Sequence, residues 1–81
     1  MNSNEQSDAT YRLYLRDLGY LIRELAVDSK MTMLEKQSDF TAGYVAGFHR
    51  VVSLMQQQAE AFNIPLKDLG LDDFDPDSEL V

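Results

Sequence analysis

The stretch that decides the fold is Tyr11 to Lys36, YRLYLRDLGYLIRELAVDSKMTMLEK. Tyr11, Tyr14, Leu15, Leu18, Leu21, Ile22, Leu25 and Ala26 recur at three- and four-residue spacing, which aligns them along one face at about 100° per residue. That face reads as a core stripe. A second stripe runs roughly opposite: Leu13, Tyr20, Val27 and Leu34 are spaced by seven, with Met31 nearby. Arg12, Arg16, Asp17, Arg23 and Glu24 occupy the ground between. A helix with two apolar sides has two neighbours. Because the second stripe reaches Leu34 and no Gly or Pro stands between Tyr20 and Ala42, the helix reads through Asp28, Ser29 and Lys30 to about Lys36. The competing reading breaks it at Asp28-Ser29, where two poor helix formers adjoin, and leaves a loop of about ten residues.

Outward from this stretch, residues 1 to 7 are polar and aperiodic, which predicts a disordered start, with Ser7 or Asp8 as the cap of the first helix. Ser38 is the next cap, and Asp39 favours the positive end of the helix dipole. Phe40, Tyr44, Phe48, Val51, Met55 and Phe62 then form a stripe, widened by Val45, Val52 and Ala59. This second helix should end at Asn63, because Ile64 precedes Pro65 and the residue before proline is pushed out of the α region. Helices over about 8–36 and 38–63, similar in length and joined by a tight turn, make an antiparallel hairpin. Pro65 opens a short helical turn through Leu66 and Leu69, which Gly70 closes. The remainder, Leu71 to Val81, is acidic with intermittent apolar residues and is expected to be extended and mostly mobile, pinned at most by Leu66, Leu69, Leu71 and Phe74.

Composition narrows the function. Eighty-one residues, 44% of them hydrophobic, make one domain at most, and a domain this small buries a modest share of its surface. The usual aids are disulfides, a structural metal or oligomerisation; with no cysteine, oligomerisation is favoured. Apolar runs such as Tyr44 to Phe48 are far short of the roughly 18 to 20 residues that span a bilayer, and Met1 to Asp8 lacks a secretory pattern, so a cytoplasmic protein is expected. A net charge of -7 repels phosphate backbones and anionic lipid, which argues against direct nucleic-acid or membrane binding. The charge is uneven. Residues 1 to 63 hold eight acids and six bases, whereas residues 64 to 81 hold six acids and Lys67 alone.

No group of residues announces chemistry. His49 is the sole histidine and projects away from the Phe40 to Phe62 stripe, among Ser53, Gln56 and Glu60, so it reads as a solvated or interface-rim residue. Without cysteine or a paired-histidine motif, no metal or other cofactor is assigned. Asp73, Asp75, Asp77 and Glu79 alternate as at the start of a calcium loop, but Ser78 stands where that loop needs glycine and Pro76 intrudes, leaving a solvated acidic tail. Gln56-Gln57-Gln58 wets the outer face of its helix. Gly43-x-x-x-Gly47, with Ala42 and Ala46, is the most unusual local feature, since each glycine inside a helix costs roughly 1 kcal/mol against alanine. Small residues four apart let another helix approach closely, either within the chain or from a second copy.

The run Ser38-Asp39-Phe40 through Gly43, Gly47-Phe48, Val51 to Met55 and Gln57 to Phe62, followed by the acidic tail, resembles small helical proteins of bacteria and their prophages whose activity is unknown. The resemblance covers about half the chain and implies a bacterial or phage origin.

These readings converge on an all-α protein: an antiparallel two-helix hairpin with a short C-terminal helical turn and acidic tail, dimerising into a four-helix bundle. The expected function is non-catalytic protein binding, as a small adaptor, inhibitor or immunity-like protein. The expected partners are itself and a second protein with a basic surface. The expected interface is Leu13, Tyr20, Val27, Leu34, Gly43, Gly47 and Leu54, with Asp72, Asp73, Asp75, Asp77 and Glu79 as a partner-binding tail. The alternatives are an acidic nucleic-acid mimic that blocks a DNA- or RNA-binding protein and, disfavoured by charge, a helical DNA-binding regulator.

Overall fold

The computed structural model describes residues 3–81, with side chains described from Asp8 onward. Its elements are α1 (Ser3–Glu35), α2 (Asp39–Ala61), a single 3-10 turn (Leu66–Leu69) and α3 (Pro76–Glu79). No strand occurs among the described residues, and α1 and α2 pack against each other as a hairpin.

α1 is continuous through Asp28-Ser29, so the long-helix reading holds and the loop reading does not. Ser29 is tolerated there because its buried hydroxyl donates to the Ala26 carbonyl oxygen at 2.6 Å, leaving no unsatisfied polar atom. The helix begins before the cap expected at Ser7 or Asp8. Glu5, Gln6 and Ala9 are good helix formers, and acids near the N-terminal end suit the dipole. Of the disordered start expected over residues 1 to 7, Met1 and Asn2 lie outside the described residues, and the backbone from Ser3 is helical.

The turn Lys36-Gln37-Ser38 is fixed by a capping box in which the Thr41 N–H donates to Ser38 Oγ at 3.1 Å and the Ser38 N–H donates to Thr41 Oγ1 at 3.0 Å. At its other end α2 stops at Ala61. Asn63 takes φ +58°, and the Ile64 N–H donates back to the Ala59 carbonyl oxygen at 2.7 Å, a glycine-type termination carried out by asparagine.

The seam between the helices is built from small residues. α1 contributes Ala26 and Ser29, and α2 contributes Val45, Val52 and Ala59 at heptad spacing, while the buried Gly19 of α1 packs on the 3-10 turn. Leu15, Ile22, Met33, Phe48 and Met55 flank the seam half-buried. This corrects the sequence reading of the core stripes: Tyr11, Tyr14, Leu21 and Leu25 of α1 and Phe40, Tyr44, Val51 and Phe62 of α2 are all exposed. Two helices that approach closely need small side chains at the contact and displace large ones to its flanks.

The largest departure lies in the tail. Leu69, Leu71, Phe74, Pro76 and Leu80 are buried, so the segment expected to be mobile forms a third layer over one side of the hairpin. Asp75 caps α3 by accepting from the Asp77 N–H at 3.0 Å, Pro76 takes the first helical position, and Glu79 Oε2 accepts from the Asp75 N–H at 3.0 Å. The acids Asp72, Asp73, Asp75, Asp77 and Glu79 stay in solvent while the apolar residues between them turn inward.

Candidate interaction surfaces

Four polar side chains, two from each helix and each pair seven residues apart, bind the tail to the hairpin. From α1, the Arg23 guanidinium donates to the Asp72 carbonyl oxygen at 2.8 Å and lies 5.0 Å from the centre of the Phe74 ring, while Lys30 Nζ donates to the Val81 backbone oxygen at 2.6 Å. From α2, Gln56 Nε2 donates to the Phe74 carbonyl oxygen at 2.7 Å and to that of Leu71 at 3.3 Å, and His49 Nε2 sits 2.8 Å from Asp77 Oδ1. An irregular segment must satisfy its backbone carbonyls as it loses water, and Arg23 and Gln56 supply that from opposite walls. His49 and Gln56 thus hold the chain's own C-terminal segment, where the sequence suggested a wetted rim. Arg23→Ala is expected to lower unfolding stability by about 2 kcal/mol, from a lost hydrogen bond to a charged donor and a lost cation–π contact. Urea melts of the two proteins at equal concentration check it.

The tail-covered side of the hairpin leaves the other side open. At about 100° per residue, Tyr14, Leu18, Leu21 and Leu25 of α1 turn to that side together with Phe40, Tyr44, Val51 and Met55 of α2. Leu25, Phe40 and Tyr44 line one shallow hollow there with Ser29 and Thr32. Along α2 the rings of Phe40, Tyr44 and Phe48 form a ladder with centroids 6.1 and 5.4 Å apart. Phe40 is 77% and Tyr14 66% exposed, well beyond the scattered single apolar residues normal on a surface.

A second, narrower apolar stripe follows the outer flank of α1. Leu13, Tyr20, Val27 and Leu34, four of the residues expected at an interface, are exposed here together with Met31. Leu13 and Tyr20 face a groove with Arg16, Lys67, Gly70 and Asp72 at the edge of the tail, and Val27 lies among Arg23, Glu24 and Asp28. Gly43, Gly47 and Leu54 are also exposed, on α2: Gly47, seven residues after Phe40 and four before Val51, borders the open side, while Gly43 and Leu54 turn further towards the outer flank. The seven residues expected to form one interface are therefore divided between two surfaces.

The glycine reading also changes. A β-carbon added at Gly43 or Gly47 would meet nothing within 4 Å, so neither lies at a crossing inside the chain. The close approach is at Gly19, where an added β-carbon would fall 1.7 Å from the Leu69 carbonyl oxygen, and at Gly70, which has φ +70° and where an added β-carbon would fall 2.7 Å from the Arg16 carbonyl oxygen. Apolar periodicity does not single out Gly19. Its signal was a glycine placed seven residues before Ala26, on the side of the helix where the chain returns.

Among the described residues no cluster of three or more His, Asp or Glu is placed to hold a metal ion, and no helix is long and apolar enough to cross a membrane. Compared with family models, curated proteins and solved structures, the chain matches none.

Proposed function

We propose that the chain is a non-catalytic protein–protein interaction module that acts as a homodimer, two hairpins closing into a four-helix bundle. The observation that carries the reading is surplus surface. The chain exposes 6152 Å², whereas a folded monomer of its mass is expected to expose about 4,900 Å². The difference, on the order of 1,200 Å² per chain, exceeds the roughly 800 Å² that each partner contributes to a standard interface. The shape agrees: the hairpin measures 54 × 20 × 17 Å with a radius of gyration of 14.9 Å, against about 12 Å for a compact domain of this length. Side-by-side pairing of two rods supplies the missing layer.

Sedimentation equilibrium at micromolar concentration tests the reading. A mass near twice the 9.2 kDa of the chain is expected. A single-chain mass accompanied by a cooperative thermal transition would overturn it.

The nucleic-acid mimic gains one feature. Asp72, Asp73, Asp75, Asp77 and Glu79 are exposed on a docked segment, the last three held by contacts to the Asp77 N–H, His49 and the Asp75 N–H, and carboxylates at fixed positions are what imitation of a phosphate array requires. Displacement of duplex DNA from a basic DNA-binding protein by micromolar chain is its test, and no displacement at low salt removes it.

A further inference from the structure

We infer that the occupant of the open face is a second copy of this chain, so that the two hairpins meet through Tyr14, Leu21 and Leu25 of α1 and Phe40, Tyr44 and Val51 of α2, and not through the outer stripe of α1. This rests on the homodimeric reading and names its interface. The two faces differ in what surrounds their apolar residues. On the outer stripe, Arg16, Asp17, Arg23 and Glu24 intervene at every turn, and Asp72 closes the groove beside Tyr20. On the open face the sector between Tyr14 and Leu25 and the sector between Phe40 and Phe62 carry no Asp, Glu, Arg or Lys. Charged side chains approach only near the turn, at Asp28 and Lys36.

That difference makes the open face the one through which two copies can pair. Each copy carries a net charge of -7, and pairing two like-charged chains is tolerable only where the contact itself holds no charge. A two-fold contact brings the same patch from both copies together, so an uncharged apolar patch meets itself without conflict, whereas a contact through the outer stripe would have to desolvate Arg16, Asp17, Arg23 and Glu24 of both copies and find each a partner. The tail cannot serve as the cover, because Arg23, Lys30, His49 and Gln56 hold it on the opposite side of the seam. The face also spans both helices, which gives it more breadth than a stripe confined to one helix.

Leu21→Glu and Val51→Glu, each made separately in the full chain, are the test, compared with Val27→Glu and Leu34→Glu on the outer stripe. The open-face variants are expected to keep their far-UV helicity, since both side chains are exposed in the single chain, and to weaken dimerisation by roughly 100-fold because each places an unpaired charge in the interface twice. The outer-stripe variants are expected to remain dimers. The chain has no cysteine, so Val51→Cys and Val27→Cys each introduce a lone thiol. Alkylation at position 51 should be about tenfold slower than at position 27 while the protein is dimeric, and the gap should close on dilution to monomer. A parent that sediments as a monomer defeats the homodimeric reading itself. A dimeric parent that is broken by the substitutions at Val27 and Leu34 but not by those at Leu21 and Val51, or whose thiol at 27 is the protected one, overturns this inference alone.

Discussion

Removal of residues 72–81 is expected to abolish cooperative unfolding, leaving a chain with a broad, shallow thermal transition and reduced helicity at 25 °C. Phe74 and Leu80 are 4% and 3% exposed and pack with Leu71, which is fully buried, against Val52, Ala59 and Ala26. Truncating a single buried Leu or Phe typically costs about 2 to 5 kcal/mol. An 81-residue domain has only about 4 to 12 kcal/mol of stability to lose. Losing both side chains, the Arg23 and Gln56 hydrogen bonds and the water-excluded covering of the seam takes away most or all of it. Circular dichroism melts of the full and shortened chains decide the matter. A shortened chain that melts within a few degrees of the parent would mean that the acidic segment contributes to binding and not to folding.

Gly19→Ala is the single substitution expected to do most damage for its size. The added methyl would stand 1.7 Å from the Leu69 carbonyl oxygen, a backbone atom with no rotamer to escape into, and the turn that carries it is followed by Gly70 at φ +70° packed on Arg16 and Tyr20. Relief requires lifting the whole 3-10 turn from α1, so a loss of about 3 kcal/mol or more is expected, at the upper end for overpacking. Gly43→Ala provides the contrast. Nothing lies within 4 Å of its would-be β-carbon, so the better helix propensity of alanine should leave the protein unchanged or stabilise it by up to about 1 kcal/mol. Denaturant melts of both variants check the opposite signs, and equal effects would mean that the turn does not rest on α1 at Gly19.

The elements were legible where a local rule fixes them. Unbroken apolar spacing from Tyr11 to Leu34 carried α1 through Asp28-Ser29, Ser38 capped α2, and Pro65 with Gly70 bracketed the 3-10 turn. Periodicity reports that apolar residues share a face, but not which neighbour takes that face. The heaviest stripes, Leu21 with Leu25 and Phe40 with Tyr44, dominate any hydrophobic sum, while the intrachain contacts use Ala26 and Ala59 at the seam and Gly19 under the 3-10 turn, whose contribution to such a sum is small. The tail differs from the sequence expectation for a related reason. Its acid density signals disorder when averaged over the segment, yet Leu71, Phe74, Pro76 and Leu80 turn inward while the acids face water. Asp75-Pro76, a cap followed by proline at the first helical position, was the overlooked local sign of α3. Exposed apolar residues on both helices were legible from spacing alone, but spacing within each helix does not say that Gly43, Gly47 and Leu54 of α2 lie on a different surface from Leu13, Tyr20, Val27 and Leu34 of α1.

The most direct test of self-association through the open face is an isotope-filtered nuclear Overhauser measurement on a one-to-one mixture of labelled and unlabelled chain, which registers only contacts between copies. Methyl groups of Leu21, Leu25 and Val51 are expected to show cross-chain contacts to the rings of Phe40 and Tyr44. Cross-chain contacts confined to Leu13, Val27, Met31 and Leu34, or none at all at concentrations above a micromolar dimer's dissociation constant, would contradict it.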